Sequence, residues 1–148
     1  MAALLQRNNT ATVVIIDDTD DVRLLVRLTL EGGGGFQVVG EADNGLSGIE
    51  EVERAQPDLV MLDLRMPVMS GLEALPLIKR ACPSARVVVL SGFEADVMAE
   101  HALRAGADGY AQKGMSTGDL AAYVSGVLDR SGAPEPPGLP TSIPRQGR

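Results

Sequence analysis

The chain has 148 residues, 45% hydrophobic and 22% charged, which fits one ordinary globular domain and leaves little room for a second. Its 20 acidic residues outnumber 13 basic ones for a formal net charge of -7, which argues against direct nucleic-acid binding, since phosphate contacts need clustered Lys and Arg. No apolar run approaches the roughly 18–20 residues of a membrane span, residues 1–10 lack a secretory signal, and the single cysteine, Cys82, excludes an internal disulfide, so a cytoplasmic chain without membrane contact is expected.

Residues 1–11 read as a flexible N-terminus. Thr12 to Asp17 (TVVIID) is a β-branched apolar run, long enough for a strand and too short for a helix. Asp20 to Glu31 then places Val22, Leu25, Val26 and Leu28 at helical spacing, and Gly32 to Gly35 stop it. Phe36 to Ala42 is the second predicted strand and Leu46 to Ala55 the second helix. Leu59 to Asp63 and Leu72 to Ala81 form the next strand and helix. Arg86 to Ser91 and about Ala95 to Arg104 repeat the alternation, and Ala107 to Gln112 and Ser116 to Leu128 complete it. Ser116 or Thr117 is the expected N-cap of the last helix. Beyond Arg130, five of the nine prolines crowd into residues 131–148. That composition buries too little surface to offset ordering entropy, and predicts a disordered tail. The folded domain is therefore expected over 12–130.

Five strands alternating with five helices imply βαβ crossovers and a parallel sheet covered on both faces. The runs VVII, LVML and VVVL are continuous rather than alternating, as strands buried on both sides should be. In such sheets ligands bind beyond the carboxyl ends of the strands. The polar residues that terminate the strands therefore matter most. Strand one ends in Asp17 and Asp18, strand three in Asp63, strand four in Ser91, and strand five runs into Lys113. Three carboxylates at one edge repel and invite cations. Lys113 supplies one charge, and an all-oxygen set with few protein donors suits Mg2+. A carboxylate beside that metal and facing an open cleft is a candidate phosphoryl acceptor, with Ser91 as a donor to a phosphoryl oxygen. Each residue alone has an ordinary reading as a turn former, loop or surface lysine. The joint pattern at four strand ends carries the argument.

From about Thr12 to Arg130 the chain resembles the receiver domain of two-component response regulators. The resemblance rests on IIDD at Ile15 to Asp18, LDLRMPVMSGLEAL at Leu62 to Leu75, VLSG at Val89 to Gly92 and GADGYAQKG at Gly106 to Gly114. The last of these is most similar to receivers of the class with a helix-turn-helix output domain. The resemblance implies a flavodoxin-like, CheY-like doubly wound (βα)5 fold with sheet order 2-1-3-4-5. It also implies Asp63 as phosphoacceptor, and Asp17, Asp18, Asp63 and the backbone carbonyl of Arg65 as Mg2+ ligands. Lys113 would pair with the phosphoryl group, and Ser91 and Tyr110 would form a switch pair. The implied partners are a sensor histidine kinase or histidine phosphotransfer protein and a downstream protein target. A phosphorylation-dependent homodimer is a further option. On this reading the chain is a signalling acceptor that assists its own phosphorylation and dephosphorylation, and is not otherwise an enzyme.

Some features depart from the family pattern. Pro76 falls inside the third helix, so that helix either starts late or is kinked. Gly114 follows Lys113 where many receivers have proline, which should loosen that loop. Arg65 and Phe93 sit two residues beyond Asp63 and Ser91, on the rim of the expected water path, where they would lengthen the life of an acyl phosphate. His101 reads as a solvent or interface residue, Cys82 as a helix-end residue, and Met61, Met66 and Met69 as packing.

Three competing classes bear on the assignment. An FMN carrier of the same fold needs an anion-binding loop after strand one, which Asp17, Asp18, Asp20 and Asp21 would repel. A haloacid-dehalogenase-type phosphatase needs a second Asp two residues after the nucleophile, whereas Thr19 follows Asp17 and Arg65 follows Asp63 at that spacing. A phosphorylation-independent scaffold usually lacks an acid or the lysine, and here all are present. If the 148 residues stand alone, output must be a protein contact. If they are the receiver half of a longer DNA-binding regulator, it need not be.

Overall fold

A computed structural model of the chain describes residues 10–92 and 95–129. Residues 1–9 of the expected loose N-terminus over 1–11, the Pro-rich tail and the rim residue Phe93 lie outside the described residues, whereas Ala11 already stands in the first strand, paired with Phe36. Ten elements alternate strictly: β1 (Ala11–Ile16), α1 (Asp20–Gly32), β2 (Phe36–Ala42), α2 (Gly45–Ala55), β3 (Leu59–Asp63), α3 (Gly71–Ala81), β4 (Arg86–Ser91), α4 (Ala95–Arg104), β5 (Gly109–Gln112) and α5 (Thr117–Asp129). All pairings are parallel and the sheet order is β2-β1-β3-β4-β5, as the resemblance implies.

The continuous apolar strands are sandwiched. In β3, Leu59 and Met61 pack on the side of α1 and α5, while Val60 and Leu62 pack on the side of α2, α3 and α4. All four are fully buried. Each such side chain contributes about 1.5–3 kcal/mol of transfer free energy, so the sheet interior is the main cohesive term. β1 slips by one residue against β2 between Val13 and Val14. Gly40, paired with Val14 just past the slip, lies under the Glu51 carboxylate, where a Cβ would meet Oε1 at 2.5 Å.

Helix ends follow their local chemistry. Asn44 caps α2 by accepting from the Ser47 N–H. Ser70 and Glu73 form a reciprocal capping box that starts α3 at Gly71. Of the two candidates for α5, Ser116 is the cap, since its Oγ accepts from the Asp119 N–H. The capping box also removes one reading of Pro76. The helix does not start late, and Pro76 sits exposed at the sixth of eleven positions.

Two further expectations need correction. Of the four apolar residues at helical spacing on α1, Val26 is buried and Val22 packs against the core, but Leu25 and Leu28 are 52% and 59% exposed, and Leu30 completes the anchor. Arg23 and Arg27 on the same helix both bond Glu41 on β2. β5 begins at Gly109 rather than Ala107. Asp108 is used before the strand starts, accepting at one carboxylate oxygen from both the Val87 N–H and Lys79 Nζ. His101 is exposed and Cys82 is the buried cap residue at the end of α3, as read from sequence. Among the described residues no helix is long and apolar enough to cross a membrane.

Candidate functional site

Strand register brings the predicted residues level. Ile16 pairs with Leu62, so Asp17 and Asp63 emerge side by side from β1 and β3. Asp63 pairs with Leu90, which places Ser91 one step beyond. The Lys113 N–H donates to the Ser91 carbonyl at 2.9 Å, holding the residue after β5 over the same edge. Asp17, Asp18 and Asp63 each offer a carboxylate oxygen, and these atoms lie within 4.8 Å of one another. Asp17 and Asp63 are buried, and Asp18 is exposed.

Lys113 Nζ lies 3.1 Å from Asp17 Oδ2 and 3.3 Å from Asp63 Oδ1. Burial, and then the neighbouring Asp17 charge, push the Asp63 carboxyl up to about 6, against the pull of Lys113 and the Arg65 amide. For Lys113, burial works against its charge, but the two carboxylates outweigh it and its pKa is raised. The ammonium is thus firmly protonated, yet one positive charge does not neutralise three acids.

The donor set fits a small hard cation. Asp17 Oδ1 accepts from the Thr19 N–H at 2.9 Å. Asp17 Oδ2, fully buried, has Lys113 as its ion-pair partner but no well-formed hydrogen bond among the described residues. A buried carboxylate oxygen in that state is costly without a further partner. All three acids supply oxygen, the donor type preferred by Mg2+.

The other predicted residues are placed as follows. The Arg65 N–H donates to Asp63 Oδ1 at 3.3 Å, while the Arg65 side chain is exposed. Ser91 is buried at the end of β4. Tyr110 pairs with Val89 and shares its sheet face with Ser91, two residues along; its ring is fully buried. Met66 and Met69 pack against the core beside α3, and Met61 lies on the opposite face.

Four residues at or near the site escaped the sequence reading. Gly71 is one, because a Cβ there would sit 1.9 Å from the Asp63 carbonyl oxygen. Only hydrogen fits where α3 starts against the acceptor strand. Tyr123 on α5 accepts the Tyr110 N–H at its hydroxyl, 2.9 Å away. Arg23 and Glu41 join the loop after β1 to β2. The glycine inside VMSGLEAL was a usable signal, whereas nothing local marks the other three.

Residues 13–125 match the family model of the response regulator receiver domain, and the chain belongs to that family. Such domains bind Mg2+ at an acidic pocket, act mostly as non-enzymatic signalling modules, and interact with histidine kinases and output domains. Among its relatives is the nitrate/nitrite response regulator protein NarL of Escherichia coli K12, 45% identical over 112 residues, covering 74% of this chain and 51% of NarL. The chemotaxis protein CheY of Halobacterium salinarum is 34% identical over 116 residues, covering 78% of this chain and 95% of that protein. A two-component response regulator of the LuxR family from Aurantimonas superposes with a TM-score of 0.80 at 28% identity, over 86% of this chain and 91% of that one. The chain spans about half the length of NarL.

Proposed function

We propose that this chain accepts a phosphoryl group on Asp63 in an Mg2+-dependent reaction and alters its protein-interaction surface in response. The observation that carries the reading is the shared ammonium: Lys113 Nζ spans Asp17 and Asp63 at 3.1 and 3.3 Å over a three-carboxylate cluster. An Asp63 carboxylate oxygen attacks phosphorus, the phosphorus–nitrogen bond of a phosphohistidine breaks, and the histidine nitrogen keeps the electron pair. Lys113 would hold a phosphoryl oxygen, and the buried Ser91 hydroxyl would donate to another. Asp17, Asp18, Asp63 and the Arg65 carbonyl would hold Mg2+, which neutralises charge as phosphate meets carboxylate.

After transfer, Ser91 would shift toward the phosphoryl group and the already buried Tyr110 ring would be locked inward. The new charge biases one of two arrangements of the loops and of the α4, β5 and α5 surface. The partners on this reading are a histidine kinase or phosphotransfer protein and a protein target, with a phosphorylation-dependent homodimer as one form of output. The expectation of no nucleic-acid contact rests on the charge of these 148 residues and extends no further.

Intact-protein mass after incubation with acetyl phosphate and Mg2+ tests the reading. A single phosphoryl adduct, lost with EDTA and in Asp63→Ala, is expected. No adduct in the wild type, together with no response of the Tyr110 resonances to beryllofluoride, would favour a phosphorylation-independent scaffold.

A further inference from the structure

Of the three acids, Asp18 is the one that packing does not hold. Asp17 and Asp63 are buried at strand ends, whereas Asp18 is exposed, and its carboxylate has one long contact with Thr19 Oγ1 at 3.4 Å. Its position therefore depends on the backbone of the β1–α1 loop. Arg23, on the first turns of α1, grips that backbone. Nη1 donates to the Asp17 carbonyl at 2.6 Å, Nε to Glu41 Oε1 at 3.1 Å, and Nη2 to Asp20 Oδ1. The Arg23 side chain is 16% exposed, and Glu41 is in turn held from its other oxygen by Arg27 Nε at 2.9 Å.

We propose that Arg23 is a positioning residue for the cation site: by fixing the Asp17–Asp18 peptide plane against β2 and α1, it sets the direction of Asp18. The inference rests on the Mg2+ reading above and assigns a residue outside the ligand set to it. Two effects of Arg23 oppose each other. Its charge repels a cation, and its hydrogen bonds preorganise the ligands. Asp20 and Glu41 flank the guanidinium with two negative charges, which cancel most of its field. Within the loop the Thr19 N–H also bonds Asp17 Oδ1, but it is Arg23 that ties the Asp17 carbonyl to α1 and, through Glu41, to β2. Preorganisation therefore wins, and removing Arg23 weakens binding even though it removes a positive charge. The planar fork matters because three acceptors in three directions are served at once, which a lysine ammonium on a flexible stem does poorly.

The test is Mn2+ binding, read as free ion by electron paramagnetic resonance with Mg2+ competition, on wild type, Arg23→Ala, Arg23→Lys and Glu41→Gln. Outer partners of metal ligands typically contribute about 10–100-fold to affinity. A loss of about 10-fold is expected for Arg23→Ala, with smaller losses for Arg23→Lys and Glu41→Gln. In parallel, the Mg2+ concentration for half-maximal phosphorylation by acetyl phosphate should rise in Arg23→Ala, with the rate at saturating Mg2+ near wild type. A merely structural role would lower the thermal midpoint and leave both Mg2+ readouts unmoved. Folded Arg23→Ala that binds as tightly as wild type, or tighter, overturns the proposal. If Arg23→Ala does not fold, Arg23→Lys decides it, since it keeps the charge and removes only the fork: weakened binding supports the proposal and unchanged binding overturns it. Wild type that binds no Mn2+ in a manner lost in Asp18→Asn removes the Mg2+ reading itself, and this inference with it, a failure visible without any Arg23 variant.

Discussion

At the residue scale, Asp63 is held in a state that favours its reaction over its own comfort. Its carboxyl titrates near 6 instead of the usual 3.8, chiefly because it is buried and next because Asp17 is charged. Between about pH 4 and 6 the folded protein therefore holds a proton that the unfolded chain has released. Stability falls as pH rises through that window, and the loss is complete above the folded value. With metal removed by EDTA, Asp63→Asn should be more stable than wild type at pH 7.5, by on the order of 1–3 kcal/mol given about 1.4 kcal/mol per tenfold change in proton affinity. The difference should vanish as pH falls toward 4. Urea denaturation at both pH values measures it, and a gap independent of pH would contradict the assignment. The same destabilisation leaves the site receptive, since a cation or a covalent phosphoryl group relieves it.

At the element scale, α3 tolerates an interior proline because other contacts compensate. The Ser70–Glu73 box secures its first turn, and Leu75 and Ile78 are fully buried on its inner face. Pro76 lies on the exposed side, where its missing N–H deprives the Leu72 carbonyl of its usual partner. Pro76→Ala restores that bond, a gain of about 3 kcal/mol by helix propensity, less up to about 1 kcal/mol for a freer unfolded chain. A net stabilisation of about 2 kcal/mol is expected in thermal or urea unfolding, with phosphorylation by acetyl phosphate unchanged. α1 shows the opposite balance. Of the four residues at helical spacing, Val26 is buried and Val22 packs against the core, whereas Leu25 and Leu28 face outward, on a helix that also bonds Glu41 through Arg23 and Arg27. A helix with leucines on several faces has no unique apolar stripe, so the packed face is decided by what the neighbouring elements offer it.

At the scale of the whole molecule, stability and site occupancy are linked. A ligand that binds only the folded state stabilises it by RT ln(1 + [L]/Kd), about 1.4 kcal/mol when its concentration is ten times Kd. Mg2+ at millimolar levels should therefore raise the thermal midpoint of wild type by several degrees, and much less in Asp17→Asn. An equal rise in both proteins, by differential scanning fluorimetry, would mean that the ion acts elsewhere on this acidic surface. The fold and the meeting of Asp17, Asp18, Asp63, Ser91 and Lys113 at one edge were legible in the sequence because both are written locally. VVII, LVML and VVVL carry burial on two faces, and each strand end names its own polar residue. Parallel topology then places those ends on one edge without further information. What lay beyond reach was everything set by contacts distant along the chain: the outward leucines of α1, the hold of Tyr123 on the Tyr110 amide, the 1.9 Å clearance that requires Gly71, and the grip of Arg23 on the loop carrying Asp18. The sequence by itself determined which groups share an edge, because the alternating pattern and its crossovers make every strand parallel, while the sheet order came with the family resemblance. Only the tertiary structure decided how they are held and charged, because orientation and proton affinity depend on burial and on partners from other elements.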